Sequence, residues 1–144
     1  MRYFIITICS ILMLLQNSCS TPVAMQHIPI STTPNGAQVY VNGKYKGDTP
    51  LAVDLERNQD HLITLVKENY QLKDISIKRE FQQNDVYLKS SLTGINSALF
   101  FKNPMMGANN AINSIEEKKQ TGEAYVLIPG VITVLLEKIK DDKP

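Results

Sequence analysis

Cys19 is the side chain whose chemistry can be read most directly from this sequence. It follows a positively charged start at Arg2 and the apolar run Tyr3–Leu15. That run is shorter than the roughly 20 residues a spanning helix needs, and its length is typical of a signal sequence that is removed. Cleavage beside Cys19 leaves it as the only thiol of the mature chain, because the other cysteine, Cys9, lies in the leader. A disulfide within the mature chain is then excluded, and a thiol that carries lipid is favoured.

The residues around Cys19 make this chemistry more specific. The segment Gln16-Asn17-Ser18-Cys19 resembles the lipobox of bacterial lipoproteins, with departures at Gln16 and Asn17, where an apolar and a small residue are usual. The resemblance implies cleavage before Cys19, a diacylglycerol thioether on its sulfur and often a third acyl chain on the new amino group. Ser20 follows, and in that family the absence of Asp there favours the outer membrane of a two-membrane cell. The alternative is an ordinary signal cut near Ser18 or Ser20 that leaves a free thiol.

The other reactive side chains form no recognisable catalytic or metal-binding pattern. The histidines, His27 and His61, have no nucleophile at a known spacing, and no His/Cys cluster has the spacing of a metal site. The sequence contains neither the P-loop motif nor the dinucleotide-binding glycine motif, and its carboxylates are scattered. We therefore expect no enzyme activity, no cofactor and no bound metal. We expect His27 to be solvated and His61 to be structural.

The charge balance argues against nucleic acid as a partner. The chain has 15 basic and 14 acidic side chains, and loss of Arg2 with the leader makes the two equal. Nucleic-acid binders usually carry a basic excess. The expected partners are the membrane, through acyl chains on Cys19, and envelope proteins or cell-wall glycan.

Period-two alternation dominates the region after the leader and predicts strands. Ile28 and Ile30 alternate with polar residues, and so do the small apolar residues of 37–41, whereas 61–66 is apolar on both faces and is expected to be a central strand. The segment 74–81 predicts a strand with one wet face, 85–88 a last short strand, and Lys44–Gly47 a loop. The predicted fold class is mainly β, a small antiparallel β-sandwich with a short helical segment and a C-terminal β-hairpin.

The spacing of Gly, Pro and Tyr in the same region resembles the PEGA domain, over about 28–88. The matching residues are Pro34, Gly36, Ala37, Gly43, Gly47, Thr49, Pro50 and Tyr70. Asn35 stands where that family has Glu, and Asn69 where it usually has Gly; both are mild departures, because Asn tolerates turn conformations. The resemblance implies a β-sandwich-like, extracytoplasmic module attached to varied envelope proteins, with no assigned catalytic residues. We interpret the matching residues as structural, with glycan binding by Tyr40, Tyr45 and Tyr70 as the alternative.

The C-terminal part has a different pattern. Residues 90–115 mix large apolar side chains with Gly, Ser and Asn, and Asn103-Pro104 and Gly107 are expected to break the run. We predict one or two short helices, with 109–119 the clearer one, ending before Gly122. Their apolar face could pack on the sandwich, lie in the bilayer interface or bind a partner, and we favour packing. Two β-prone runs around Pro129-Gly130 predict a hairpin.

These observations divide the chain and give a first hypothesis of function. We expect a signal peptide at 1–18, a lipidated tether at 19–27, a PEGA-like sandwich at 28–89, the helical segment and hairpin at 90–137 and a charged tail at 138–144. The predicted function is a non-catalytic, lipid-anchored cell-envelope protein whose sandwich contacts protein or glycan. The alternative is a periplasmic binding module for a soluble sugar or peptide.

Overall fold

The structure is a computed structural model that describes residues 22–139. Within this range the chain folds mainly as β-structure with two helices, which confirms the predicted fold class. The predicted signal peptide, Cys19 and residues 140–144 of the predicted tail lie outside the described residues.

The strands form two sheets that enclose one core. In the three-stranded sheet, β1 (Met25–Thr33) lies between β4 (Leu51–Glu56) and β8 (Ile132–Leu135). The five-stranded sheet has the order β3, β2, β5, β6, β7, with bounds β2 (Gln38–Val41), β3 (Lys44–Asp48), β5 (His61–Val66), β6 (Lys73–Phe81) and β7 (Tyr125–Ile128). Neighbouring strands are antiparallel except β1 and β8, which run parallel.

Alternating side chains of both sheets fill the space between them. Ile28 and Ile30 are buried, and β5 is the central strand of its sheet, as the alternation predicts. Burying each such side chain stabilises the fold by about 1.5–3 kcal/mol. The core cluster consists of Ile28, Ile30, Val39, Val41, Val53, Leu55, Ile63, Leu65, Ile77, Leu127 and Ile132.

The segment predicted as a loop after Asn42-Gly43 is a strand. Both turn residues have positive φ, 50° at Asn42 and 79° at Gly43. This conformation matches the twist of a two-residue hairpin and returns the chain directly onto β2. The prediction of a loop at Lys44–Gly47 was therefore wrong, because an exposed edge strand needs no apolar alternation.

The two C-terminal strands follow one another around Pro129-Gly130 as a hairpin-like pair, but they join different sheets. β7 pairs with β6 in the five-stranded sheet, and β8 pairs with β1 in the other. The connection between them therefore crosses from one layer to the next. Ile132 enters the core from β8, and Leu127 enters it from β7.

Between β6 and β7 the chain forms two helices, α1 (Gln83–Phe101) and α2 (Pro104–Thr121). The prediction of a strand at 85–88 was wrong, since these residues lie in the first turns of α1. Asn103-Pro104 does separate the helices: the Asn103 side chain accepts a hydrogen bond from the Met105 N–H, and Pro104 is the first helical residue. The expected break at Gly107 was wrong, and α2 ends at Thr121, before Gly122 as predicted.

The helices pack against each other and make few contacts with the sheets. A Cβ on Gly107 would lie 2.6 Å from the Gly94 carbonyl oxygen and 2.6 Å from the Ala98 Cβ. These residues therefore let the helix backbones touch. The favoured prediction, that the apolar helical face packs on the sandwich, was wrong: the two helices form a hairpin whose large apolar side chains are mostly exposed.

Candidate functional site

Thr49 organises the connections at one end of the sandwich. Its side chain is 4% exposed, its Oγ1 lies 2.5 Å from the Thr32 Oγ1, and it accepts a hydrogen bond from the Ala37 N–H at 3.0 Å. Its backbone pairs with Ala37 and Gly36 at 2.9 and 2.8 Å. Thr32, the next-to-last residue of β1, donates to the Pro34 carbonyl at 2.8 Å. The cluster therefore joins the two sheets and leaves none of these hydroxyls free for a ligand.

The remaining residues of the Gly/Pro/Tyr pattern lie in connections or near strand ends. Pro50 follows Thr49 directly before β4, Gly43 directly precedes β3, and Gly47 is the next-to-last residue of β3. Tyr70 is half-buried between β5 and β6 and pairs with Lys138 in an isolated bridge. The Lys67 ammonium donates to the Asn35 carbonyl at 2.8 Å and to the Gly36 carbonyl at 3.2 Å. These positions explain the Gly/Pro/Tyr pattern by the shape of the chain between and at the ends of the strands.

His61 is fully used inside the fold. Its Nε2 lies 2.9 Å from the Glu56 carbonyl oxygen and its Nδ1 lies 3.1 Å from the Asn42 side-chain nitrogen. A neutral ring that donates through Nε2 and accepts at Nδ1 satisfies both contacts. Asn42 in turn accepts from the Leu62 N–H at 2.9 Å. His27 is exposed on β1 and hydrogen-bonds Asp54 at 2.9 Å.

Two of the three tyrosines considered for glycan binding lie together. The rings of Tyr40 and Tyr45 are 5.6 Å apart on neighbouring strands, whereas Tyr70 is engaged with Lys138. The Tyr45 hydroxyl donates to Asp48 at 3.0 Å. This hydrogen bond, with the negative charge of Asp48, raises the pKa of Tyr45 above its ordinary value. The pair, with Tyr45 exposed and Tyr40 half-buried, is a small aromatic patch with one acidic neighbour.

A polar cleft of about 320 Å³ lies where the helical hairpin meets the sandwich. Three cationic side chains and two carboxylates line it, so its charges nearly cancel. The Nε of Arg57 is buried there without a hydrogen-bond partner among the described residues. The charged residues lining the cleft are Arg57, Lys89, Lys118, Asp85 and Glu123.

The free end of the helical hairpin, which we call the hairpin tip, exposes large apolar side chains. Phe100 is 82% exposed, Met105 74% and Leu99 71%. Five large apolar side chains thus surround one helix connection in water, where such patches usually mark an interaction site. The tip consists of Leu99, Phe100, Phe101, Met105 and Met106. The sequence shows these residues, but it does not show that the sandwich leaves them uncovered.

Comparison with known families matches one part of the chain. Residues 25–89 match the model of the PEGA domain. The match includes β1–β6 and the start of α1, so β7 and β8, which complete the two sheets, follow it in the chain. The hydrogen-bonded cluster around Thr49 lies within the PEGA domain, and the hairpin tip lies beyond it. Comparison with curated proteins finds no significant match, and neither does comparison with solved structures.

Within residues 22–139, no three His, Cys, Asp or Glu side chains lie together as a metal site would require. Neither described helix combines the length and the apolar character needed to cross a bilayer.

Proposed function

We propose that this protein is a non-catalytic bacterial lipoprotein of the cell envelope, in which acyl chains on Cys19 hold a PEGA-containing domain at a membrane. The observation that carries the proposal is the lipobox-like segment Gln16–Cys19 directly after a leader of signal-peptide length. The PEGA domain at 25–89 is compatible with it. In a cell with two membranes, Ser20 after the cysteine favours the outer one.

The energetics of acylation support a stable anchor. Each buried CH₂ group contributes about 0.8 kcal/mol, and a single acyl chain binds only marginally. A diacylglycerol group with a further chain on the amino terminus provides more than one acyl chain and therefore binds a membrane stably. The predicted tether at 19–27 was too long, because β1 begins at Met25. From Cys19 to Ala24 the extended chain spans at most about 18 Å. The folded domain would therefore be held close to the lipid surface.

The internal contacts of the PEGA domain support a scaffold role. The polar groups around Thr49 and His61 are satisfied by other parts of the same domain. Contacts with envelope proteins or cell-wall glycan would then be made by exposed surfaces. The Tyr40–Tyr45 pair is suited to a sugar ring, because the aromatic rings can pack on the apolar face of the sugar while the tyrosine hydroxyls stay in water.

Metabolic labelling with a palmitate analogue tests the anchor. We expect the wild-type protein to be labelled and the Cys19→Ala protein to lose the label. The chain offers a matched control in Cys9, the second thiol, and Cys9→Ala should retain full labelling. Undiminished labelling of Cys19→Ala, or none of the wild type in a cell that acylates its other lipoproteins, would contradict the proposal.

The second candidate is a periplasmic module that binds a soluble sugar or peptide, and the surface pair Tyr40–Tyr45 favours it. The chain contains no Trp, so its intrinsic emission comes from its tyrosines, Tyr40 and Tyr45 among them, and can be followed during titration with cell-wall fragments. A saturable change that disappears in Tyr45→Ala would support this candidate. An emission that stays constant with every fragment would contradict it.

A further inference from the structure

The charges of the helical hairpin are segregated along its length. Its base carries Asp85 and Lys89 on α1 and the charged segment 116–119 on α2. Between Lys89 and Glu116 the only charged residue is Lys102, which lies at the turn between the helices. The distal part of the hairpin is therefore almost uncharged, while large apolar side chains are exposed there.

The directions of the tip side chains limit what can cover them. Successive helical residues are rotated by about 100°, so Leu99, Phe100 and Phe101 point to three sides of α1. A flat protein surface would cover only one of those sides. Met105 and Met106, on α2, extend the apolar surface across the turn. A fluid apolar phase that surrounds the tip covers all of these side chains at once.

The position of Ala24, five residues after Cys19, agrees with a membrane being the apolar phase that covers the tip. The Ala24 N–H donates to the Thr121 carbonyl at 2.7 Å, so the chain enters the sandwich beside the base of α2. With 19 residues, α1 is about 28 Å long. If the tip enters the bilayer by about 5–10 Å, the base stands roughly 20 Å above the surface. The extended tether from Ala24 to Cys19 covers about 18 Å of that distance, and a slight tilt closes the difference.

We propose that the hairpin tip inserts into the interfacial region of a phospholipid bilayer and gives the protein a second membrane contact. The apolar side chains would lie at the boundary between head groups and acyl chains, and the Lys102 ammonium would extend to the phosphates. The uncharged helical surface behind the tip tolerates this depth, whereas the charged base stays in water. The identity of the membrane rests on the proposed function, but insertion of the tip does not require the acyl chains.

The test uses the chain from residue 19 with Cys19→Ser, which keeps every described strand and helix but carries no lipid. Because the protein has no Trp, Phe100→Trp places a single reporter at the tip. The matched control is Leu135→Trp, whose position is 76% exposed and pairs with Thr33, at the end of β1 opposite Ala24. Both proteins are mixed with vesicles of phosphatidylcholine and phosphatidylglycerol, with and without brominated acyl chains.

We expect the indole emission of the Phe100→Trp protein to shift to the blue and to be quenched by bromine, and that of the Leu135→Trp protein to do neither. In the Phe100→Trp protein, the added substitution Phe101→Asp should weaken vesicle binding about tenfold or more, since it puts a charge where the bilayer would bury an apolar side chain. Circular dichroism checks that this variant keeps its fold, and Phe101→Leu should bind nearly normally.

Three results would overturn the inference. The first is an unshifted emission of the Phe100→Trp protein at saturating lipid, and the second is equal quenching of both reporters, which would place the sandwich in the bilayer. The third is a stable dimer of the Phe100→Trp protein whose emission is shifted without lipid, which would show that a second copy covers the tip. Since no acyl chain is present, failure here leaves the labelling result at Cys19 untouched, and failure of labelling leaves this result untouched.

Discussion

At the scale of single residues, the hydroxyl of Thr49 has a complete hydrogen-bond assignment. Thr32 donates to the Pro34 carbonyl, so the proton between the two hydroxyls comes from Thr49, which also accepts from the Ala37 N–H. Each donor in this chain of contacts has one acceptor. Because the site is buried, removing one member leaves its neighbours without water as a substitute.

Thr49→Val should therefore destabilise the domain by about 1–3 kcal/mol, the cost of leaving buried polar groups unpaired. Urea denaturation measures the change. Thr49→Ser keeps the hydroxyl and should therefore lower the free energy of unfolding by less than Thr49→Val does. The control is Thr133→Val on β8, where the hydroxyl contacts Ser31 at an exposed position and the change should stay within about 0.5 kcal/mol. Equal urea midpoints for Thr49→Val and the wild type would contradict this role of Thr49.

The second prediction at this scale concerns ionisation of Tyr45. The Asp48 carboxylate accepts a hydrogen bond from the Tyr45 hydroxyl and repels the tyrosinate, so it raises the pKa of Tyr45. Asp48→Asn should lower that pKa towards its ordinary value. NMR of the tyrosine ring carbons during an alkaline titration measures the change. A pKa of Tyr45 that does not move would show that Asp48 is not its partner in solution.

At the scale of elements, the helical hairpin is an insertion between β6 and β7 that is held together by its own contacts. Gly94 and Gly107 bring the helix backbones together, and at the base the Ser90 hydroxyl lies 3.3 Å from both the Ser114 hydroxyl and the Lys118 ammonium. Few contacts join the helices to the sheets. The hairpin can therefore be weakened without loss of the sandwich.

Gly107→Ala should have this selective effect, because its Cβ would overlap the Gly94 carbonyl and Ala98. Overpacking of this kind costs about 1–3 kcal/mol. Hydrogen exchange should become faster in α1 and α2 and stay unchanged in β1, β2 and β5. Gly130→Ala is the control, since the nearest atom to its Cβ is 3.6 Å away. Equally accelerated exchange in helices and strands would contradict the independence of the hairpin.

The elements also show how far the sequence predicts this fold. Alternation identifies β1, β2, β5 and β6 because their apolar side chains enter one core. It does not identify β3, which lies at a sheet edge with exposed side chains. The buried Val53 and Leu55 do alternate in β4, a strand that the sequence prediction did not include. The start of α1 was read as a strand because 85–88 is too short to distinguish the two periods.

The candidate site was less predictable than the fold. Cys19 and the PEGA pattern are local in sequence, so the motifs can be recognised without a structure. Exposure of Phe100 and Met105 depends on whether distant strands cover the helices, which the residues of 90–115 do not specify. The contact between Ala24 and Thr121 likewise depends on the tertiary structure and cannot be inferred from local sequence. The sequence therefore left three possibilities for the apolar helical face: packing on the sandwich, the bilayer interface or a partner. The tertiary structure excludes the first.

At the scale of the whole molecule, the proposed lipid anchor and the hairpin tip would act as linked membrane contacts. Once the acyl chains hold the protein, the tip is confined near the surface at a high effective concentration. The two contacts together would orient the sandwich, with the Ala24 end towards the membrane and the Thr33 and Leu135 end away from it. The surface around Gly36 and Leu135 would then face the envelope space.

The orientation depends on the chemical state of Cys19, and mass spectrometry of the protein purified from its native membrane tests it most directly. We predict an amino-terminal peptide that begins at Cys19 and carries a diacylglycerol thioether, with a third acyl chain on the amino group where the cell adds one. A chain that still begins at Met1, or a mature chain with an unmodified Cys19 thiol, would contradict the account.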